Sequence, residues 1–245
     1  MKKAVIILVV LSVFLLSFPI TIPGSFQSQE VQNLVEDKDV IIIFNSGGWG
    51  NTPLDKAYDF APIIEKIQGN LNNLGYSSAV IPFFRTKPGF WGKVSGTKDF
   101  LSSFRYSSDD LAKTIKLFSD KFPDKKIIVT GLSGGAGLVS EAMDKLSGEI
   151  SQSVLAIIAG PPFWSKPSLK ENILCLDNDK MDILTVGNVK ILLSLVKDPI
   201  RLIIAKIKGE NMTFTGAFYL AGHQYRWESQ AVGPKITAFL SNNLQ

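Results

Sequence analysis

The chain has one cysteine and one histidine in 245 residues, and those two scarcities exclude a good deal. Cys175 has no partner for an internal disulfide, and its apolar surroundings read as those of a buried, inert thiol. One imidazole and one thiol are too few for a zinc cluster, so no metal is expected, and no motif asks for an organic cofactor. Charge of one sign is also scarce. The net charge is +4, and it falls to +2 once the unit charges of Lys2 and Lys3 are set aside. That excess is too small to argue for nucleic acid, and no stripe of basic and aromatic residues supports such a partner. There is no internal repeat and no low-complexity block after the first residues.

What is present fits one globular unit. The length suits a single sizeable α/β core and is short for two domains. An apolar content of 45% with 20% charged residues is that of a folded protein. The first 24 residues stand apart: Lys2 and Lys3 precede a charge-free apolar run from Ala4 to Ile22. This is the layout of a signal peptide or, lacking an A-x-A cleavage site, of an N-terminal membrane anchor. Export or tethering to a membrane is therefore expected. Residues 25–37, polar and rich in Gln, Ser and Glu, read as a linker to a domain over 38–245.

Within that domain short β-rich runs alternate with helical patterns. Residues 39–46 (DVIIIFNS), 77–83, 126–131, 153–160, 172–178 and 212–222 read as strands. Ile63, Ile64, Ile67, Leu71 and Leu74 recur at helical spacing, as do Leu111, Ile115, Phe118 and Phe122 behind the start signal YSSDD. A last helix is expected from about Ser229. Strands without alternation between helices imply a mainly parallel central sheet of about six strands with helices on both faces, an α/β fold. Sites in such sheets form at the carboxyl ends of the strands.

The motifs fall at those ends. In Gly131-Leu132-Ser133-Gly134-Gly135 the glycines two before and two after Ser133 match G-x-S-x-G, a sharp strand-to-helix turn that exposes a serine nucleophile. The run lacks the G-K-[ST] ending of a phosphate-binding loop. The Gly134 N–H, at a helix N-terminus, is the expected oxyanion donor. The only base on offer is His223, just past the last predicted strand and after the serine in chain order. Asp177, Asp179 and Asp182 are candidate carboxylates between the two. Asp182, followed by Ile183-Leu184, is the first choice and Asp179 a close second. A second oxyanion donor is expected from the loop 44–53, where the Trp49 N–H follows Gly47 and Gly48.

With GGWG after the first strand, GLSGG at the turn, an acid near 182 and GHQYRW near the end, the chain resembles the α/β-hydrolase fold family over most of residues 38–243. The order Ser…Asp…His is the one that family uses. Where many members carry His-Gly, this chain has Gly47-Gly48. Two or so N-terminal strands of larger members are missing, which implies a compact version without a large cap. The resemblance implies acyl transfer to water: hydrolysis of carboxylic esters, thioesters or lipid acyl groups.

Two segments are candidates for shaping the site. Residues 83–106 hold five Phe, one Trp and one Tyr and read as a long connection, either folded over Ser133 as a lid or acyl-chain wall or packed on the body. Residues 189–209, apolar with five Lys and Arg side chains, suit either an anionic membrane surface or a sheet edge. Two functions follow. The first is an exported or membrane-tethered serine hydrolase of the esterase or lipase kind, acting on a small-molecule or lipid ester. The second is a catalytically silent envelope binding protein with the same fold.

Overall fold

The computed structural model describes residues 29–146, 153–165, 170–187 and 222–244, together with Ile150 and Pro167. Segment 1–24, read as a signal peptide or membrane anchor, predicted strand 212–222 except its last residue, and segment 189–209 lie outside the described residues. Five parallel strands form the sheet among the described residues: β1 (Val40–Asn45), β2 (Ser78–Phe83), β3 (Lys126–Leu132), β4 (Val154–Ala159) and β5 (Ile173–Leu176). Their order is β2-β1-β3-β4-β5. Each begins and ends within two residues of the run that predicts it.

Parallel strands buried on both faces need apolar residues at every position, and β1 and β4 are buried throughout. Alternation along β1 divides the core in two. Val40, Ile42 and Phe44 pack with Ile63, Ile64, Ile67 and Leu71 of helix α2 (Ala61–Asn73) and with Ile236 and Leu240 of α7 (Gly233–Leu244). Ile41 and Ile43 face the other layer. There they meet Leu111, Ile115 and Phe118 of α4 (Arg105–Lys121), and Leu138, Val139 and Ala142 of α5 (Gly134–Lys145). Gln29–Glu36, within the segment read as a linker, forms helix α1, whose Val35 is buried in this second layer.

The long connection after β2 holds a helix that the sequence reading does not include. It carries helix α3 (Phe90–Leu101), and α4 starts at Arg105, ahead of the YSSDD signal. Gly92 and Gly96 make α3 a poor helix by local preference, so contacts outside the helix must hold it. A side chain at Gly96 would press on the Trp49 carbonyl at 3.2 Å, and one at Gly92 would collide with Lys87 backbone. The connection is neither a free flap nor wholly packed away: Phe100 and Phe104 go inward, whereas Phe90 and Trp91 are 69% and 57% exposed.

The chain leaves β1 for β2 on one side, then returns past β1 to β3 on the other. Loops leaving neighbouring strands in opposite directions open a crevice at the carboxyl ends of β1 and β3. The loop 46–50 and Ser133 lie there.

Candidate active site

Ser133 directly follows β3 with φ 54° and ψ −117°, a conformation rare for any side-chain-bearing residue and held only by its surroundings. Those surroundings are glycines. A Cβ on Gly131 would stand 2.5 Å from the Gly135 carbonyl, and one on Gly135 would stand 2.3 Å from the Asn45 carbonyl. The turn folds back onto itself and presses against β1, which explains both glycines of the motif. Ser133 N–H donates to the Ala159 carbonyl at the end of β4 (2.8 Å), and the Gly137 N–H donates to the Ser133 carbonyl (3.0 Å). That second bond sets the Ser133–Gly134 peptide in the helical direction. The Gly134 N–H therefore points out of the N-terminus of α5, where the helix dipole favours negative charge. Ser133 is half-buried.

The chain after β5 turns sharply. Asn178, Asp179 and Lys180 all have φ between 52° and 66°, three left-handed residues in a row. This swings Asp182 back to the sheet as the cap of a short helix, α6 (Ile183–Val186), whose Leu184 N–H donates to Asp182 Oδ1 (2.9 Å). Asn178 Nδ2 donates to the Gly222 carbonyl (2.9 Å), tying this loop to the residue before the histidine. Gly222 has φ 76°, and a Cβ there would stand 2.0 Å from the Met181 carbonyl, so the two loops touch backbone to backbone.

The result is a buried carboxylate with three donors. His223 Nδ1 lies 2.8 Å from Asp182 Oδ2, the Tyr225 hydroxyl donates to the same oxygen at 2.5 Å, and Leu184 N–H holds the other. The Asp182 side chain is 0% exposed and His223 16%. Burial alone would raise the Asp182 pKa. Hydrogen bonding and charge from His223, with the bonds from Tyr225 and Leu184, outweigh it and hold the carboxyl below its ordinary value. Burial, then the adjacent carboxylate, pushes the Tyr225 phenol far upward, so it remains a donor. An ionised Asp182 can only accept, so His223 Nδ1 is the donor, and in the neutral imidazole that tautomer makes Nε2 the proton acceptor.

The imidazole stands next to the serine turn. A Cβ on Gly160 would lie 2.5 Å from His223 Cε1 and 2.7 Å from Asp182 Oδ2, and Gly160 follows Ala159, the residue that accepts the Ser133 N–H. Opposite, a Cβ on Gly47 would lie 3.5 Å from Ser133 Cβ. The 44–53 loop thus borders the serine through Gly47. Trp49, the expected second donor, is the next residue but one, with its carbonyl bonded to Thr86 Oγ1 (2.8 Å) and its ring against Gly96 of α3.

Of the three candidate acids, the structure brings Asp182 to the histidine. Asp179 is on the surface, paired with Lys235 Nζ at 2.7 Å, and Asp177 lies one residue past β5. Tyr225 was not singled out by sequence, although H-x-Y in an extended segment puts both side chains on one side and was the signal available. Arg85 and Asp99, a buried ion pair beneath the turn (3.3 Å), were missed altogether. Among the described residues no group of three His, Cys, Asp or Glu could hold a metal ion, and no helix is long and apolar enough to cross a membrane.

No protein-family model and no curated protein matches the chain. Among solved structures it is similar to a cutinase of Trichoderma reesei in complex with a phosphonate inhibitor, at 20% identity and TM-score 0.42 over 56% of this chain and 60% of that one. It is also similar to a cutinase-like protein from Cryptococcus sp., at 20% identity and TM-score 0.37 over 51% of this chain and 54% of that one. An acetylxylan esterase matches at 16% identity and TM-score 0.45, over 84% of this chain and 98% of that one. The chain thus spans little more than half the length of the cutinase and of the cutinase-like protein. Likeness this loose leaves function to be argued from the site itself.

Proposed function

We propose that this chain is a serine hydrolase that cleaves carboxylic esters, with Ser133 as nucleophile, His223 as base and then acid, and Asp182 orienting the imidazole. One observation carries the reading: an ionised, three-times-bonded carboxylate fixes a histidine against Gly160 at the end of β4, the same strand end that anchors a serine on a strained, glycine-bound turn. A structural histidine needs no such tautomer control, and a structural serine needs no left-handed backbone.

In the reaction Ser133 Oγ attacks the acyl carbonyl while His223 Nε2 takes its proton. The oxyanion meets the N–H groups of Gly134 and Trp49. The imidazolium, stabilised by Asp182, returns the proton to the departing alkoxide, leaving an acyl-serine. Water, deprotonated by the same imidazole, then attacks the acyl carbon, and the acid leaves as Ser133 regains its proton. A small-molecule or lipid ester is the proposed substrate. The Lys2-Lys3 start and apolar run 4–22 support export or tethering, with any membrane surface as a secondary partner.

Labelling with a fluorophosphonate probe tests the reading without a known substrate, since only an activated serine reacts. The wild type should label and Ser133→Ala should not, with p-nitrophenyl ester turnover falling by roughly 10³-fold or more. An unlabelled, folded wild type would leave the binding-protein reading in its place.

A further inference from the structure

We infer that Arg85, held by Asp99, is the positioning residue of the oxyanion hole, fixing the Gly48–Trp49 peptide against the first turn of α5. The inference rests on the hydrolase reading above and concerns what aims its second donor. Arg85 leaves the end of β2 and reaches beneath the crevice, its side chain 1% exposed. Nη2 donates to the Gly48 carbonyl (2.6 Å) and Nη1 to the Gly134 carbonyl (3.1 Å). Nε faces Asp99 Oδ2 at 3.3 Å, and the guanidinium lies over the Phe104 ring at 4.9 Å.

A trans peptide is planar with its C=O and N–H opposed. Drawing the Gly48 carbonyl down onto Arg85 therefore turns the Trp49 N–H up and away from it. The other three carbonyls of the loop are held as well. The Gly47 carbonyl accepts from Gly50 N–H (3.1 Å), the Trp49 carbonyl from Thr86 Oγ1 (2.8 Å), and the Gly50 carbonyl from Arg85 N–H (2.8 Å). All four consecutive carbonyls of 47–50 are held by protein donors, two of them by Arg85. The same guanidinium grips the residue that supplies the first oxyanion donor. A planar fork can hold two carbonyls from separate loops at fixed spacing, which an ammonium cannot.

The surroundings are built for this group. A Cβ on Gly50 would stand 2.8 Å from Arg85 Cβ and Nε, and one on Gly134 3.4 Å from both terminal nitrogens. Phe104, the platform, has φ 58° and is fully buried, a costly conformation for a bulky residue. Asp99, 0% exposed, also accepts from Ser107 Oγ at 2.5 Å. Burial lowers the Arg85 pKa to about 10, which still leaves it protonated at neutral pH. A buried pair of this kind is weak as a source of stability, because desolvation offsets attraction. Its retention directly under both donors is better accounted for by geometry.

The test replaces both charges at once, since Arg85→Met alone would strand a buried carboxylate. Arg85→Met/Asp99→Val stays close to the volume of the pair, and such replacements of buried pairs are often neutral or stabilising. The double variant should melt near the wild type, with kcat on p-nitrophenyl acetate down roughly 10²-fold and KM little changed. Affinity for an alkylboronic acid, whose tetrahedral adduct fills the oxyanion site, should fall by the same factor. Arg85→Lys, which keeps a charge beside Asp99 but cannot span both carbonyls, should fall in between. A folded double variant, or Arg85→Lys, with wild-type kcat and boronate affinity overturns the inference while leaving the hydrolase reading intact. Unfolding of both variants would make the pair structural and overturn it too. A folded wild type that neither labels at Ser133 nor turns over ester overturns the hydrolase reading itself, and the positioning role with it.

Discussion

Gly160→Ala is a one-methyl test of whether the histidine must stand where it does. Gly160 has φ 61°, and its missing Cβ would lie 2.5 Å from His223 Cε1, 2.8 Å from Nδ1 and 2.7 Å from Asp182 Oδ2. Carbon atoms rest at roughly 3.5–4.0 Å, so the imidazole and its carboxylate must retreat by about 1 Å, away from the strand end beside Ser133. A displacement of that size costs about 10²-fold in rate when it falls on the reacting groups. The backbone contributes separately: a left-handed alanine costs roughly 1–2 kcal/mol, which for a chain of this size lowers Tm by about 2–8 °C. Gly75→Ala isolates that second effect, because Gly75 has φ 88° with nothing within 4 Å of its missing Cβ. Ester hydrolysis with p-nitrophenyl acetate, paired with thermal melts by circular dichroism, separates the two. Both variants should melt lower, and only Gly160→Ala should lose turnover. Near-wild-type turnover in Gly160→Ala, or an equal loss in Gly75→Ala, would refute the placement of the base.

Asp182→Asn should lower kcat by roughly 10³–10⁴-fold, because an amide can hold the wrong imidazole tautomer, while Asp179→Asn should match the wild type in the same assay. The Asp182 pKa is depressed on folding, so the stability it contributes is full above its unfolded value of about 3.9 and is lost as pH falls through its folded value. Denaturant titrations of wild type and Asp182→Asn should therefore differ at pH 7 and converge in strong acid; a gap that widens on acidification would contradict the sign. Tyr225→Phe removes one donor to a buried charge and should cost about 1.5–3 kcal/mol of unfolding free energy, with a milder loss of kcat than Asp182→Asn. Fractionation of cells making the full chain should find it outside the cytoplasm or with membranes; a soluble cytoplasmic chain would contradict the reading of residues 1–24.

Strands and the serine turn were legible because their causes are local. A doubly buried parallel strand must be apolar at every step, so DVIIIFNS announces β1 within a residue of its observed ends. The turn at Ser133 needs glycine where backbone meets backbone, and those contacts fall at fixed offsets in the chain. The choice between Asp179 and Asp182 was not legible. Three consecutive left-handed residues redirect the loop, and none of Asn178, Asp179 and Lys180 is a glycine that would have signalled it. Helix α3 was missed for the opposite reason. Its glycines argue against a helix, yet each fits a close approach by Lys87 or Trp49 that only the folded chain supplies.

Arg85 marks the limit more sharply. Its partners come from three separate stretches: Gly48, Asp99 with Phe104, and Gly134. In sequence it is one cation in an aromatic connection, where exposure is the default expectation. Burial of such a cation becomes reasonable only when a carboxylate, two carbonyls and a ring converge on it, and none of these lies near it in the chain. The serine and the histidine of the proposed chemistry announce themselves through local pattern, and the acid is narrowed only to one loop. The groups that hold them, Tyr225 on Asp182 and Arg85 under the donor loops, are defined by contacts across the sheet. Sequence alone therefore points to the residues of the proposed chemistry before it points to what aims them, and the variants at Arg85 and Tyr225 probe that second set.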